Sequence, residues 1–213
     1  MDNLGDQRKN YLKNALSKEI LSIDPIIQFE RWYQDAEKAG IKEPNAMTLA
    51  TVGKNGQPSA RIVLLKGFGQ KGFAFYTNYE SKKGKNLLEN PQAALVFWYQ
   101  ELERQIRIEG TVEKLNKDAS MSYFHSRPKG SQISATASPQ SQIITKDELV
   151  KRWDETSKQF EADTQLPLPD FWGGYVLKPT TIEFWQGRAN RLHDRFLYTL
   201  SDDMTWHFDR LAP

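Results

Sequence analysis

The sequence predicts a mainly β protein, in which an antiparallel sheet closes into a small barrel with helices at its flanks. From Ala46 the apolar residues follow a period of two, which is typical of strands. Turn formers join neighbouring segments, and the Asn55-Gly56 pair between the first two segments is a strong hairpin signal. Few helical segments separate the strands, so a parallel sheet built from crossover units is not favoured.

In chain order, residues 1–20 are predicted to form an N-terminal arm or short helix, and residues 21–213 are predicted to form a single domain. Asp24 and Pro25 supply an N-cap and a proline at the first helical position, and Gly40 supplies a stop. These signals predict an amphipathic helix of about four turns. The predicted strands are residues 46–52, 58–66, 73–77, 93–100, 103–115, 174–178, 180–186, 195–200 and 205–210.

The strand predicted at residues 58–66 contains a run of four apolar residues from Ile62 to Leu65. Because this run is apolar on both faces, we expect the strand to be buried on both sides. Residues 67–72 match the dinucleotide-binding pattern GxGxxG. We interpret them as a turn, because the glycines of that motif open a helix, whereas residues 73–77 are predicted to be a strand.

The remaining helical signals lie between the strands. Ser81 is predicted to cap a short helix that continues to Asn90. Residues 117–137 are predicted to be helical or irregular. Thr145 and Glu148 form a capping box, which predicts a helix that continues to about Phe160.

Composition narrows the class of protein. A length of 213 residues is enough for one domain with a sizeable core. The net charge of +2 gives no strong field that would attract nucleic acid. The absence of cysteine excludes disulfides and is compatible with a reducing cytoplasm, and the three histidines are too scattered to form a metal motif. With no apolar stretch long enough to span a bilayer, the expectation is a soluble cytoplasmic protein without membrane or nucleic-acid partners.

Residues 185–195 collect chemistry that a simple loop does not need. They contain one Trp, three Arg, one His and one Asp around a single Leu, while Gly187 and Asn190 suffice as turn formers. Arg offers a planar fork of donors that suits a phosphate, a carboxylate or a ring, and His can move a proton near neutral pH. Two interpretations remain from the residues alone: a binding site, or a solvated loop held by salt bridges.

Residues 76–83 contain the stronger signal for a phosphate site. Tyr76 and Thr77 precede Ser81, where unpaired N–H groups at a helix start meet the ammonium groups of Lys82 and Lys83. The alternative is a solvated helix face. A second candidate is formed by Tyr123, Arg127 and Ser131, whose three donors could converge on one phosphate. The alternative is that this segment is an ordinary helix end with a chance Arg.

An ordered set of short motifs runs through most of the chain: RIVLLK, YTNxxSxK, ERQ, YFHSRP, QS, FWGG, WQG, RLHDRF and the terminal DRLAP. This set resembles the pyridoxamine 5'-phosphate oxidase family. The resemblance implies a split β-barrel that binds FMN, and a homodimer with FMN at the subunit interface. It also implies oxidation of pyridoxamine and pyridoxine 5'-phosphates to pyridoxal 5'-phosphate in vitamin B6 salvage. In that reaction a hydride passes from substrate C4' to FMN N5, and O2 reoxidises the flavin and gives hydrogen peroxide.

The resemblance further implies the contacts of individual residues. Those expected to bind FMN are Arg61, Ile62, Val63, Leu64, Leu65, Lys66, Tyr76, Thr77, Lys82, Lys83, Gln105, Gln140, Ser141, Trp185 and Arg195. Those expected to bind substrate are Arg8, Tyr11, Lys66, Tyr123, Arg127, Ser131, Arg191, Leu192 and His193. Arg191 and His193 are the expected catalytic pair, and His125 is expected to be structural.

Two alternatives to this function remain open on the sequence. One is a split-barrel FMN reductase that acts on another substrate, which would lack the RLHDR and YFHSRP motifs. The other is a non-catalytic protein that binds flavin or pyridoxal phosphate, which would be yellow but would form no peroxide. The sequence does not rank the two phosphorylated substrates, and it leaves open a second, regulatory pyridoxal phosphate site.

Overall fold

A computed structural model of the chain describes residues 11, 13 and 15–213. Its helices are α1 (Pro25–Lys38), α2 (Lys82–Glu89), α3 (Lys117–Ser126), α4 (Lys129–Ala137) and α5 (Lys146–Gln159). Its strands are β1 (Ala46–Val52), β2 (Pro58–Leu64), β3 (Gly67–Gly69), β4 (Gly72–Asn78), β5 (Gln92–Tyr99), β6 (Arg104–Lys114), β7 (Trp172–Gln186), β8 (Asp194–Leu200) and β9 (Trp206–Leu211).

The sheet is antiparallel, as predicted, and it divides along β7. The strand order is β2-β1-β5-β6-β7-β4-β3, while β8 and β9 leave this path at β7. The first half of β7, residues 172–177, pairs with β4, and residues 181–186 pair with β8. One long strand therefore holds two separate groups of strands at fixed positions, which is the arrangement of a split β-barrel.

The prediction of two strands at residues 174–178 and 180–186 was wrong, because β7 is continuous. The pairing of β6 with β7 shifts its register between Glu109 and Gly110, opposite Pro179 and Thr181. This shift in register is a β-bulge, which accommodates Pro179 without ending the strand, whereas the sequence prediction placed a break there.

The prediction that β2 is buried on both sides was also wrong. β2 lies at the end of the strand order with β1 as its neighbour, and Ile62 is 66% exposed. Residues 67–72, predicted as a turn, include the short strand β3, which pairs with β4. Because β4 follows as a strand, the rejection of the dinucleotide-binding motif is confirmed.

The predicted helix starts are confirmed by their caps. The side chains of Asp24, Ser81 and Thr145 accept hydrogen bonds from backbone N–H groups in the first turns of α1, α2 and α5. α1 packs against the sheet, where Phe29 is fully buried and the centre of its ring lies 4.9 and 5.1 Å from those of Phe73 and Phe97. Within the described residues, none of the helices has the length and apolar character needed to cross a membrane.

Candidate active site

A cavity of about 620 Å³ lies between β2, β4, α2 and the α3–α4 region. Eleven of its lining residues are among the predicted site residues: Arg61, Ile62, Val63, Leu64, Lys66, Tyr76, Thr77, Lys83, Tyr123, Arg127 and Gln140. The structure therefore brings the two phosphate candidates of the sequence into one space. Within the described part of the chain, none of the four cations in this lining forms a salt bridge with a carboxylate.

Lys83 is the most constrained cation of the cavity. Its ammonium group lies 3.0 Å from Thr77 Oγ1, 3.0 Å from Gln140 Oε1 and 3.4 Å from Ser81 Oγ. Burial, and then the nearby charge of Arg61, lower the pKa of Lys83 from 10.5 to about 8. An anion in the cavity would favour the charged form and raise this pKa again.

Arg61 projects from β2 and is also held by neutral oxygens. It donates to the Leu49 carbonyl oxygen at 3.1 Å and to Thr51 Oγ1 at 2.8 Å. Its second terminal nitrogen donates to Ser59 Oγ at 2.7 Å. Burial lowers the pKa of Arg61 as well, so the fold holds two cations near each other at a cost that an anion would offset.

The second group of cations surrounds an aromatic stack. The rings of Tyr76 and Tyr123 lie 3.9 Å apart and nearly parallel, and Lys66 Nζ lies 5.9 Å from the Tyr123 ring. Arg127 follows α3 and has a buried nitrogen, Nη1, without a hydrogen-bond partner among the described residues. A buried N–H group without an acceptor is costly, so this nitrogen marks a position that suits an oxygen of a ligand.

Sequence reasoning missed five residues of this lining: Asn78, Ser134, Ala135, Ser138 and Trp172. Three of them come from α4 and its C-cap, where the spacing 134, 135, 138 defines one helical face. Ser131 belongs to the same face one turn earlier, but it lies outside the cavity lining. The period of small residues in that segment was the signal that could have found this face.

Several other predicted residues lie outside the cavity lining. Leu65 is buried in the hydrophobic core, and Lys82 is exposed at the start of α2. Ser141 is exposed with a φ of 74°, which places its backbone in the left-handed region. Arg8 lies outside the described residues. His125 Nε2 donates a hydrogen bond to the Leu166 carbonyl oxygen at 3.0 Å, in agreement with a structural role.

A second cluster of predicted residues forms where β7 ends and β8 begins. The imidazole of His193 lies 4.6 Å from the Trp185 ring, and the Tyr11 ring packs edge-on against both at 5.9 and 5.8 Å. In the sheet register, Gln105 is opposite Trp185 on one side and Trp98 on the other. None of these residues lines the cavity, so the single chain presents two separate groups of candidate site residues.

His193 is held in a defined state. The backbone N–H of Arg188 donates to its Nδ1 at 3.1 Å, so this nitrogen is an acceptor and the neutral ring carries its proton on Nε2. Burial, and then the charges of Arg191 and Arg195, lower the pKa of His193 below its ordinary value of 6.5. The imidazole is therefore mainly neutral at pH 7 and can accept a proton there.

The loop that carries Arg191 is strained. Asn190 and Arg191 have φ angles of 56° and 61°, in a region that Asn tolerates but Arg rarely adopts. The left-handed conformation of such a residue costs about 1–2 kcal/mol. Arg191 and Leu192 are exposed, so the strained backbone presents both side chains outward.

Arg195 forms an ion pair with a buried carboxylate. Its Nε donates to Glu183 Oε1 at 2.7 Å, and Glu183, which is 5% exposed, also pairs with Arg107 at 3.0 Å. Arg195 Nη1 donates to the Ala212 carbonyl oxygen at 2.9 Å. This network fixes the position of Arg195 within β8 before any ligand binds.

The divided sheet and the cation-lined cavity define a split-barrel protein whose principal cavity suits an anionic ligand. A family model described as pyridoxamine 5'-phosphate oxidase matches residues 33–156. A second, described as the pyridoxine 5'-phosphate oxidase C-terminal dimerisation region, matches residues 172–213. The chain belongs to the pyridoxamine 5'-phosphate oxidase family.

Full-length relatives support this assignment. The chain is 52% identical over 215 residues to a pyridoxine/pyridoxamine 5'-phosphate oxidase of Salinibacter ruber, with 100% of both chains covered. It is 51% identical to the protein of that name from Trichormus variabilis, with 99% of this chain and 98% of the relative covered. Among solved structures, PhzG from Burkholderia lata, in complex with tetrahydrophenazine-1-carboxylic acid, has a TM-score of 0.88 at 27% identity, covering 96% of this chain and all of that chain.

The state of His193 gives a direct test of the second cluster. We expect its pKa to lie below 6.5 and to rise in Arg191→Gln, because that substitution removes a repulsive charge. Histidine-selective NMR titration measures both values. Arg152→Gln, which removes an exposed guanidinium from α5, should leave the titration unchanged. A pKa of His193 at or above 6.5, or one that ignores Arg191→Gln, would contradict this description.

Proposed function

We propose that the chain is an FMN-dependent oxidase that converts pyridoxamine and pyridoxine 5'-phosphates to pyridoxal 5'-phosphate in vitamin B6 salvage. The observation that carries the proposal is the single cavity with two groups of cations, Arg61 with Lys83 and Lys66 with Arg127. FMN and the substrate each bring one phosphate, so two such groups match two phosphorylated ligands. The lack of cysteine is compatible with a cytoplasmic location.

The residues of the cavity fit FMN. Lys83 and Arg61 would hold its phosphate, because the fold leaves their charges unbalanced, and the Thr77 hydroxyl would lie beside them. β2 would lie along the flavin ring, since β2 ends the strand order and one edge of its backbone has no partner strand in the part of the chain that the structure describes. Tyr123, Arg127 and Lys66 would then remain for the phosphate of the substrate.

FMN, when bound, would supply the redox chemistry: it would take a hydride from substrate C4' at N5 and pass two electrons, with two protons, to O2 to give hydrogen peroxide, while water would release the amino group of pyridoxamine 5'-phosphate as ammonia. The protein binds and orients the reactants. Arg191 would direct its planar guanidinium at the substrate ring, and neutral His193 would accept or relay a proton from the polar groups of the substrate. Trp185, Gln105 and Arg195 would contact the flavin from the same side.

Because the cavity and the His193 cluster are separate in one chain, we propose that each active site forms between two subunits. The match of residues 172–213 to a dimerisation region supports this, since those residues include the cluster. Exposed apolar side chains on both groups also support it: Ile62 is 66% exposed, Leu192 68% and Trp98 45%. A two-fold homodimer would then contain two FMN sites at its interface.

Anaerobic reduction of the flavin tests the proposed activity. The purified protein should be yellow, and FMN at about a hundred times its dissociation constant should stabilise the fold by about 2.7 kcal/mol. Pyridoxamine 5'-phosphate should bleach the flavin absorbance without oxygen. Arg191→Lys keeps the charge but loses the planar fork, so bleaching should slow by about tenfold or more, whereas Arg152→Lys on α5 should be normal.

Two results of this experiment would contradict the proposal. A protein that binds FMN but is not bleached by either phosphorylated substrate is a flavin-binding protein or a reductase for another substrate. A colourless protein whose unfolding temperature ignores added FMN lacks the proposed cofactor site.

The pKa of Lys83 predicts how FMN binding depends on pH. The charged ammonium binds the phosphate, so affinity should be high near pH 7, where the phosphate is also mainly dianionic, and should fall as the pH rises through about 8. Lys83→Met should weaken binding at pH 7 and remove this dependence. Lys85→Met is the matched control, because Lys85 is exposed on the same helix, does not line the cavity and is not among the residues expected to bind FMN.

Flavin fluorescence titrations at several pH values measure these affinities. If Lys85→Met and Lys83→Met weaken FMN binding equally, the charge near α2 acts as a diffuse field and Lys83 is not a specific phosphate ligand.

A further inference from the structure

Arg127 is a partly buried cation that, among the described residues, must be stabilised without a carboxylate partner. Its guanidinium is partly buried, burial lowers its pKa, and within the described residues it forms no salt bridge. A carboxylate would stabilise this cation but would also occupy the N–H groups that a phosphate needs. An aromatic face stabilises a guanidinium without accepting hydrogen bonds from its edge.

Trp172 supplies such a face. The guanidinium carbon of Arg127 lies 5.0 Å from the centre of the Trp172 ring, and 5.9 Å from that of Phe124. Nη1 of Arg127 has no hydrogen-bond partner among the described residues, so the stacked arrangement leaves this donor available.

The Trp172 ring is itself held in place. It is 7% exposed, and it lies nearly parallel to Tyr76 at 5.7 Å and to Tyr123 at 6.1 Å. Two residues later, a Cβ atom at Gly174 would lie 2.7 Å from the Tyr76 ring, so the glycine allows the stack to sit against β7. Trp172 therefore contacts both Tyr123 and Arg127, the two predicted phosphate ligands from α3 and its C-terminal end.

We propose that Trp172 is a positioning residue for the phosphate of the substrate. Trp172 would act through Arg127 and Tyr123, which it holds so that their donors face the cavity. This inference rests on the proposed function. The enzyme would thereby discriminate phosphorylated from dephosphorylated forms of the same ring. The contacts to the FMN phosphate would not depend on Trp172, because Lys83, Thr77 and Arg61 lie outside this stack. Of the stacked rings, only Tyr76 is also expected to contact FMN.

The test compares pyridoxal 5'-phosphate with pyridoxal, which differ by the phosphate. Their dissociation constants would be measured by calorimetry on the FMN-loaded protein. Trp172→Leu should weaken binding of pyridoxal 5'-phosphate by about tenfold or more, the size of a desolvated cation–π contact, and should change pyridoxal binding by less than about threefold. Bound FMN should be unchanged, and the KM for pyridoxamine 5'-phosphate should rise more than kcat falls.

Two further variants separate positioning from a general loss of packing. Trp172→Phe keeps an aromatic face, so it should recover much of the phosphate discrimination even if Trp172→Leu fails to fold. Trp206→Leu removes an indole that packs on the core from β9, away from the cavity, and should keep the discrimination of the wild type.

The outcomes distinguish this inference from the proposed function. If Trp172→Leu, or Trp172→Phe where the former does not fold, weakens both ligands equally or releases FMN, Trp172 is only structural. If Trp172→Leu still discriminates pyridoxal 5'-phosphate from pyridoxal as the wild type does, Arg127 does not need Trp172. Either of these two results overturns the inference and leaves the proposed function standing. A wild-type protein that binds pyridoxal as tightly as pyridoxal 5'-phosphate would overturn the proposed substrate site, and this inference with it.

Discussion

Partly burying a cation costs free energy unless an anion is nearby, and this constraint governs the principal cavity. Arg61, Lys83 and Arg127 all have a pKa lowered mainly by burial, and they are held by neutral oxygens or aromatic rings. Among residues 11, 13 and 15–213, no carboxylate forms a salt bridge with these three cations. A phosphorylated ligand supplies the missing charge, so ligand binding and stability of the cavity are linked.

β7 determines how the rest of the site is distributed. Its first half carries Trp172 to the cavity through pairing with β4, and its second half carries Trp185 to the His193 cluster through pairing with β8. A rigid strand keeps these two groups apart within one chain. In the proposed dimer, a second copy would bring its cluster to the cavity of the first.

The sequence predicted the elements that local chemistry dictates and missed those that depend on neighbours. The capped helices and the hairpin at Asn55-Gly56 follow from short-range signals, and they were confirmed. The exposure of Ile62 could not be read from its apolar run, because position in a strand order is not local. Trp172 was missed for a similar reason: its role depends on Arg127, which lies in another element and meets it only in the folded chain.

Complementation between inactive subunits tests the central claim that each site is shared by two chains. One variant would carry Arg61→Ala with Lys83→Ala, and the other Arg191→Ala with His193→Ala. Each alone should be inactive, but a mixed dimer would contain one site with both wild-type halves. Refolding the two variants together at equal amounts should therefore restore about one quarter of the wild-type oxidase activity. No recovery, in mixtures shown by tagged purification to contain mixed dimers, would contradict the account and place each site within a single chain.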